Sequence, residues 1–138
     1  MRYTVRKVEY FTTVVQDEPG QAYHLLSILA GRGVNLFAFT AVPIGPDRTQ
    51  LTLFPEDSGR LTNETNRAGL SLTGPFFALL VTGVDALGAL ADVHERLFEA
   101  GINVYASYGI SSGSKSYGYL IYVKPEAISK AVAAFDQE

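Results

Sequence analysis

The chain has no cysteine among its 138 residues. Disulfides, thiolate metal sites and cysteine nucleophiles are therefore excluded. Charge is scarce, at 18% of residues, and it is not basic: the net charge is −3. A surface built for nucleic acid or anionic membrane carries the opposite sign. Long hydrophobic runs are missing too. The longest nearly apolar run, Phe76 to Val81, is far too short to cross a bilayer. The start, Met1 to Lys7, lacks the apolar core of a signal peptide, and a cytoplasmic location is expected. Metal spacing is also absent. His24 and His94 have no second histidine or carboxylate at a ligating distance in sequence, and no cofactor or metal is expected. What remains is 47% apolar, the composition of a packed globular chain.

What is present is a repeat. Asp17, Gly20, Gly33, Asn35 and Ala38 recur at one common spacing as Asp85, Gly88, Gly101, Asn103 and Ala106. A helix-like apolar run lies between the glycines in both copies. One folding unit is used twice, and the spacing predicts repeats over 1–74 and 75–138. Each alone is close to the lower limit for an independent core.

Periodicity fills in the elements. Val8 to Val15 reads as a strand, which Tyr3 and Val5 can extend backwards. Gln21 to Ala30 places Ala22, Leu25, Leu26 and Leu29 on one helical face. Strands follow over Val34 to Ile44 and Thr49 to Phe54, the second with Leu51 and Leu53 on one face. A helix to about Ala68 follows despite Thr62, Asn63, Thr65 and Asn66, and then a short strand from Leu70 to Thr73. Gly74-Pro75 punctuates the halves. The second half repeats the order. Phe76 to Thr82 is a strand; Asp85 caps a helix with Leu90, Val93, Leu97 and Phe98 buried; strands run over Ile102 to Ile110 and Tyr117 to Val123. A last helix runs from Pro125 to Phe135 with Ile128 and Val132 facing inward. The order is βαββαβ, the ferredoxin-like α+β pattern, with the last strand of the second repeat missing. Either that sheet is one strand short or the segment from Arg2 to Arg6 fills the edge.

Asp17-Glu18-Pro19-Gly20, the helix, and Gly33-Val34-Asn35-Leu36 resemble the ACT domain. The second copy keeps Asp85, Gly88, Gly101, Ile102 and Asn103 but has Leu87 in place of Pro19. The resemblance covers the whole chain as a tandem pair with no attached catalytic domain. It implies an amino-acid-binding regulatory or sensor protein with no catalytic residues. By resemblance the ligand sits where one repeat's first loop meets the other's second strand, which implies Glu18, Pro19, Gly20, Gln21, Asn35, Leu87, Gly88 and Asn103 as ligand-binding residues. Free N–H groups at a helix start suit a carboxylate, and an Asn side chain offers both donor and acceptor. Pro19 stiffens its turn, so the Gly20 loop is expected to matter more than the Gly88 loop.

Simpler readings stand beside these. The glycines can be turn formers alone, and the asparagines can serve as left-handed residues after a helix. Ser111 to Gly118 looks like a phosphate loop but lacks the Walker spacing and joins two strands. The tyrosines at 105, 108, 117, 119 and 122 suit core and sheet-face packing. No carboxylate pair or Ser-His-Asp spacing is evident. An α+β barrel enzyme is the alternative, which requires His24 or His94 buried in a pocket. A ligand-free assembly module is another. The strands after Gly33 and Gly101 are expected to be neighbours in one antiparallel sheet, helices on one face. The other face, rich in aromatics, is expected to be covered by a second chain in a homodimer.

Overall fold

The computed structural model describes residues 3–84 and 86–136. Among them are six strands and four α-helices: β1 (Tyr3–Gln16), α1 (Gln21–Gly31), β2 (Leu36–Gly45), β3 (Arg48–Pro55), α2 (Ser58–Ala68), β4 (Thr73–Val84), α3 (Ala89–Glu99), β5 (Ala106–Ser111), β6 (Ser116–Tyr122) and α4 (Ile128–Phe135). A 3-10 turn, Pro125–Ala127, leads into α4. The fold is α+β, with two ferredoxin-like repeats. The chain forms two compact units, one from Glu9–Phe76 and one from the residues up to Val8 with those from Phe77 on.

In the Glu9–Phe76 unit the strand order is β4-β1-β3-β2, using the first residues of β4 and the second half of β1. β1 and β2 both run antiparallel to β3, with Phe11 opposite Leu53 and Phe39 opposite the same leucine. Phe11, Leu25, Leu29, Leu51, Leu53 and Leu61 form its core. Two residues of α1 and one of α2 belong to that core, so both helices cover one face of the sheet. The threonines expected to weaken α2 are accommodated by back-bonding. Thr65 Oγ1 donates to the Leu61 carbonyl at 2.9 Å, and Thr62 Oγ1 to that of Ser58 at 3.1 Å. Asp57 caps α2, its carboxylate accepting the Arg60 N–H at 3.1 Å.

In the other unit the order is β1-β4-β6-β5, now with the first half of β1 and the rest of β4. Leu79, Val81, Val93, Leu97, Ile121, Ala131 and Phe135 belong to its core, and Tyr3 and Val5 pack against it. The Thr4 and Thr82 hydroxyls are 3.0 Å apart, and the Tyr3 ring meets Phe135 edge-on at 6.0 Å. The second repeat therefore gains its fourth strand from the start of the chain. Of the segment expected for that edge, Arg2 lies outside the described residues.

Several expectations are corrected. Gly74-Pro75 lies inside β4, and the short strand expected from Leu70 begins instead at Thr73. The strands after Gly33 and Gly101 are not neighbours. β2 pairs with β3 and β5 with β6, and each is the last strand of its unit. In α3 only Val93 and Leu97 are buried, while Leu90 is 41% and Phe98 80% exposed. Asp85, expected to cap α3, lies outside the described residues, and Gly88 is the residue at the helix start.

β3 is buried on both faces from Leu51 to Pro55, not on one alone. Phe54 stacks on Tyr10 at 5.2 Å and on Phe37 at 5.6 Å. At the equivalent place in the second repeat Tyr105 and Tyr122 are 6.4 Å apart. Phe54, Leu120 and Tyr122 are already buried within one chain. Phe76, Tyr105 and Tyr108 remain exposed, at 39%, 58% and 49%.

Candidate functional site

The two turns that the repeat places before α1 and α3 share one backbone geometry. Gly20 and Gly88 stand at the helix starts in the left-handed region, with φ of 88° and 80°. Side chains with a Cβ resist that conformation, which is why both copies keep glycine. A Cβ at either position would meet nothing within 4 Å. The φ angle, not crowding, explains the residue. Among the described residues, neither helix start has a side-chain cap. The turns close through backbone bonds, the Ala89 N–H to the Ala86 carbonyl at 3.1 Å and the Gln21 N–H to that of Glu18 at 3.4 Å. N–H groups in the first turn have no carbonyl within the helix to bond. At α3 these belong to Leu90 and Ala91, at α1 to Ala22 and Tyr23.

Beside α3 is a cleft of about 660 Å³, within the size range of small-molecule sites, roughly 300–1,000 Å³. One wall is Ala86 to Ala91. The other is Gly109 to Ser111 of β5, with Tyr117 of β6. β5 presents the small residues Gly109 and Ser111 there, on either side of Ile110. The Tyr119 ring lies against Gly109, where a Cβ would sit 2.9 Å from its Cδ1. Tyr119 is held in turn: its hydroxyl donates to Ser107 Oγ at 2.9 Å and lies 2.6 Å from His94 Nε2. With the one hydroxyl proton given to Ser107, His94 Nε2–H is the donor to Tyr119.

Of the residues implied as ligand-binding, Leu87 and Gly88 line this cleft and Asn103 does not. Gln21 lines a smaller cleft of about 140 Å³ with His24 and Leu25. Glu18, Pro19, Gly20, Asn35 and Asn103 are all exposed. Neither asparagine is left-handed. Gly33 and Gly101 take that role, with φ of 74° and 73°, so the simple turn-former account of the asparagines fails. The Asn35 carbonyl accepts the Glu56 N–H at 3.0 Å. Residues of the cleft beyond the loop, namely Leu90, Gly109, Ile110, Ser111 and Tyr117, were not singled out by the motif. Their one sequence signal is the glycine in mid-strand at Gly109.

His24 is exposed, and half-buried His94 does not line the cleft beside α3. No group of three metal-ligating side chains occurs among the described residues. No helix among them is long and apolar enough to cross a membrane.

No family model matches the chain, and no curated protein does. Solved structures do. A protein from Bacteroides thetaiotaomicron superposes with a TM-score of 0.80 at 15% identity, covering 99% of this chain and 90% of that one. The regulatory subunit of aspartate kinase from Thermus thermophilus, in a ligand-free form, gives 0.64 at 17% identity, covering 98% and 95%. That of Thermus flavus gives 0.62 at 16% identity, covering 99% and 96%. At these identities the likeness establishes the fold: the chain has, over almost its full length, the fold of these regulatory subunits.

Proposed function

We propose that this protein is a non-catalytic tandem ACT-type regulator that binds a small metabolite, an amino acid by resemblance, at the turns before α1 and α3. The observation that carries the reading is the duplicated left-handed glycine at a helix start without a side-chain cap, which in the second repeat opens onto a cleft of about 660 Å³. Such a start holds a carboxylate with backbone N–H groups under the positive end of the helix dipole. Two proteins of the same fold are named as regulatory subunits of a kinase, which supports regulation as the use of that binding. In this reading the duplicated sequence units are 1–74 and 75–138. The residues proposed to bind are Glu18, Pro19, Gly20, Gln21 and Asn35 in the first repeat and Leu87, Gly88 and Asn103 in the second. The ligand acts by binding one conformation or assembly better than another.

A thermal-shift screen of the full chain against the twenty amino acids, followed by calorimetry, tests the reading. A ligand at a hundred times its Kd stabilises the native state by about 2.7 kcal/mol. Absence of any shift and of any binding heat across the set rejects it.

A further inference from the structure

We infer that the cleft beside α3 selects an amino acid with an uncharged, apolar side chain. This rests on the amino-acid-binding reading above and narrows it.

The inference comes from the walls of the cleft. Among the described residues, none that lines the cleft carries a charge. Leu87, Leu90 and Ile110 present aliphatic carbon, and all three are exposed in the free protein, at 106%, 41% and 77%. A ligand side chain laid against them removes apolar surface from water on both partners. An ammonium or carboxylate at the end of that side chain would lose hydration and find no counter-charge. Among the described residues, the polar side chains in the lining are the hydroxyls of Ser111 and Tyr117, and neither can offset a full charge. The polar end of an amino acid has a separate place, at the first-turn N–H groups of Leu90 and Ala91.

The chain does build charged clefts elsewhere. One of about 410 Å³ between α3 and α4 is lined by Arg96, Glu99 and Lys130. The lining of the cleft beside α3 differs from that one in this respect. Gly109 sets its breadth, since any larger residue there meets the Tyr119 ring.

The test is calorimetry on the full chain with L-leucine, L-valine, L-lysine and L-aspartate, repeated on Ile110→Glu and Leu90→Glu. Both positions are exposed, so the variants should keep the wild-type melting temperature without ligand. The expected result is that leucine or valine binds at least about tenfold tighter than lysine and aspartate, and that both variants weaken it about tenfold or more. Lysine or aspartate binding as tightly as leucine overturns the inference and leaves the amino-acid reading standing. Leucine binding that neither variant changes overturns the assignment to this cleft. No binding by any of the twenty amino acids overturns both readings.

Discussion

The start of α1 and the start of α3 occupy equivalent places in the two repeats and share a backbone, yet they differ in what lies beside them. Both rest on a left-handed glycine with no side-chain cap. The first follows Pro19, the second Leu87, which is fully exposed. Near α1 the cleft containing Gln21 holds about 140 Å³, whereas the one beside α3 holds about 660 Å³. The two are not equivalent clefts: Thr13 and Val15 of β1 and Leu70 to Leu72 wall the first, and no β2 residue lines it. Where the second repeat has Gly109 and Ser111, the first has Ala41 and Pro43. A turn is a local backbone feature and survives duplication with one glycine. A cleft depends on side chains from a distant strand, and those differ between the repeats. The expectation that the Gly20 loop outweighs the Gly88 loop rests on Pro19 alone.

The largest expected effect tests whether the repeats are equally well built. Leu29 and Leu97 are equivalent and each is 1% exposed. Replacing either by alanine should cost about 2–5 kcal/mol in urea denaturation. Similar costs would mark the two cores as equals, and a clear gap would show that one unit carries the stability.

Next come the asparagines. Asn35 and Asn103 are exposed, so alanine at either should leave stability within about 0.5 kcal/mol. If a bound ligand covers them, affinity falls by about 1–3 kcal/mol. Calorimetry with the amino acid found in the screen separates the outcomes, and unchanged affinity in both variants removes the asparagines from the site.

Gly20→Ala and Gly88→Ala should each cost about 1–2 kcal/mol in folding, because the left-handed backbone disfavours any Cβ. With no neighbour within 4 Å of that Cβ, the two costs should match. A near-neutral result at either would mean that its turn relaxes, breaking the equivalence of the two starts.

The smallest effect concerns charge. Asp92 lies in the first turn of α3, whereas α1 has no acidic residue in its first turn. A carboxylate there opposes an anionic ligand group. Asp92→Asn should tighten binding by about two- to fivefold at low salt, with the gain fading as salt rises. Titrations at two ionic strengths check both points.

Much of the fold is legible in the residues. The stripe at Leu25 and Leu29, the strand at Leu51 to Leu53 and the helix stops at Gly33 and Gly101 follow from local periodicity and turn chemistry. The ring pairs Phe37–Phe54 and Tyr105–Tyr122 fall at equivalent places, as duplication requires. The candidate site was half legible. Leu87 and Gly88 came from the motif, whereas Gly109, Ile110 and Tyr117 reach the cleft through strand pairing, to which a local pattern is blind. Phe98 misled for a related reason: it sits one residue beyond Leu97, and a one-residue step on a helix turns a side chain away from the core.

The sequence by itself determined the duplicated turn–helix–strand unit, the two glycine-led helix starts and the cysteine-free chemistry available to them. These depend on neighbours along the chain. The tertiary structure alone decided that Tyr3–Val8 completes the sheet of the second repeat, that β4 runs unbroken through Gly74-Pro75, and that the broad cleft lies beside α3. A strand's alternating pattern suits any edge that offers free N–H and carbonyl groups. Which edge it joins, and what space the joined strands leave, is settled only when distant segments pack.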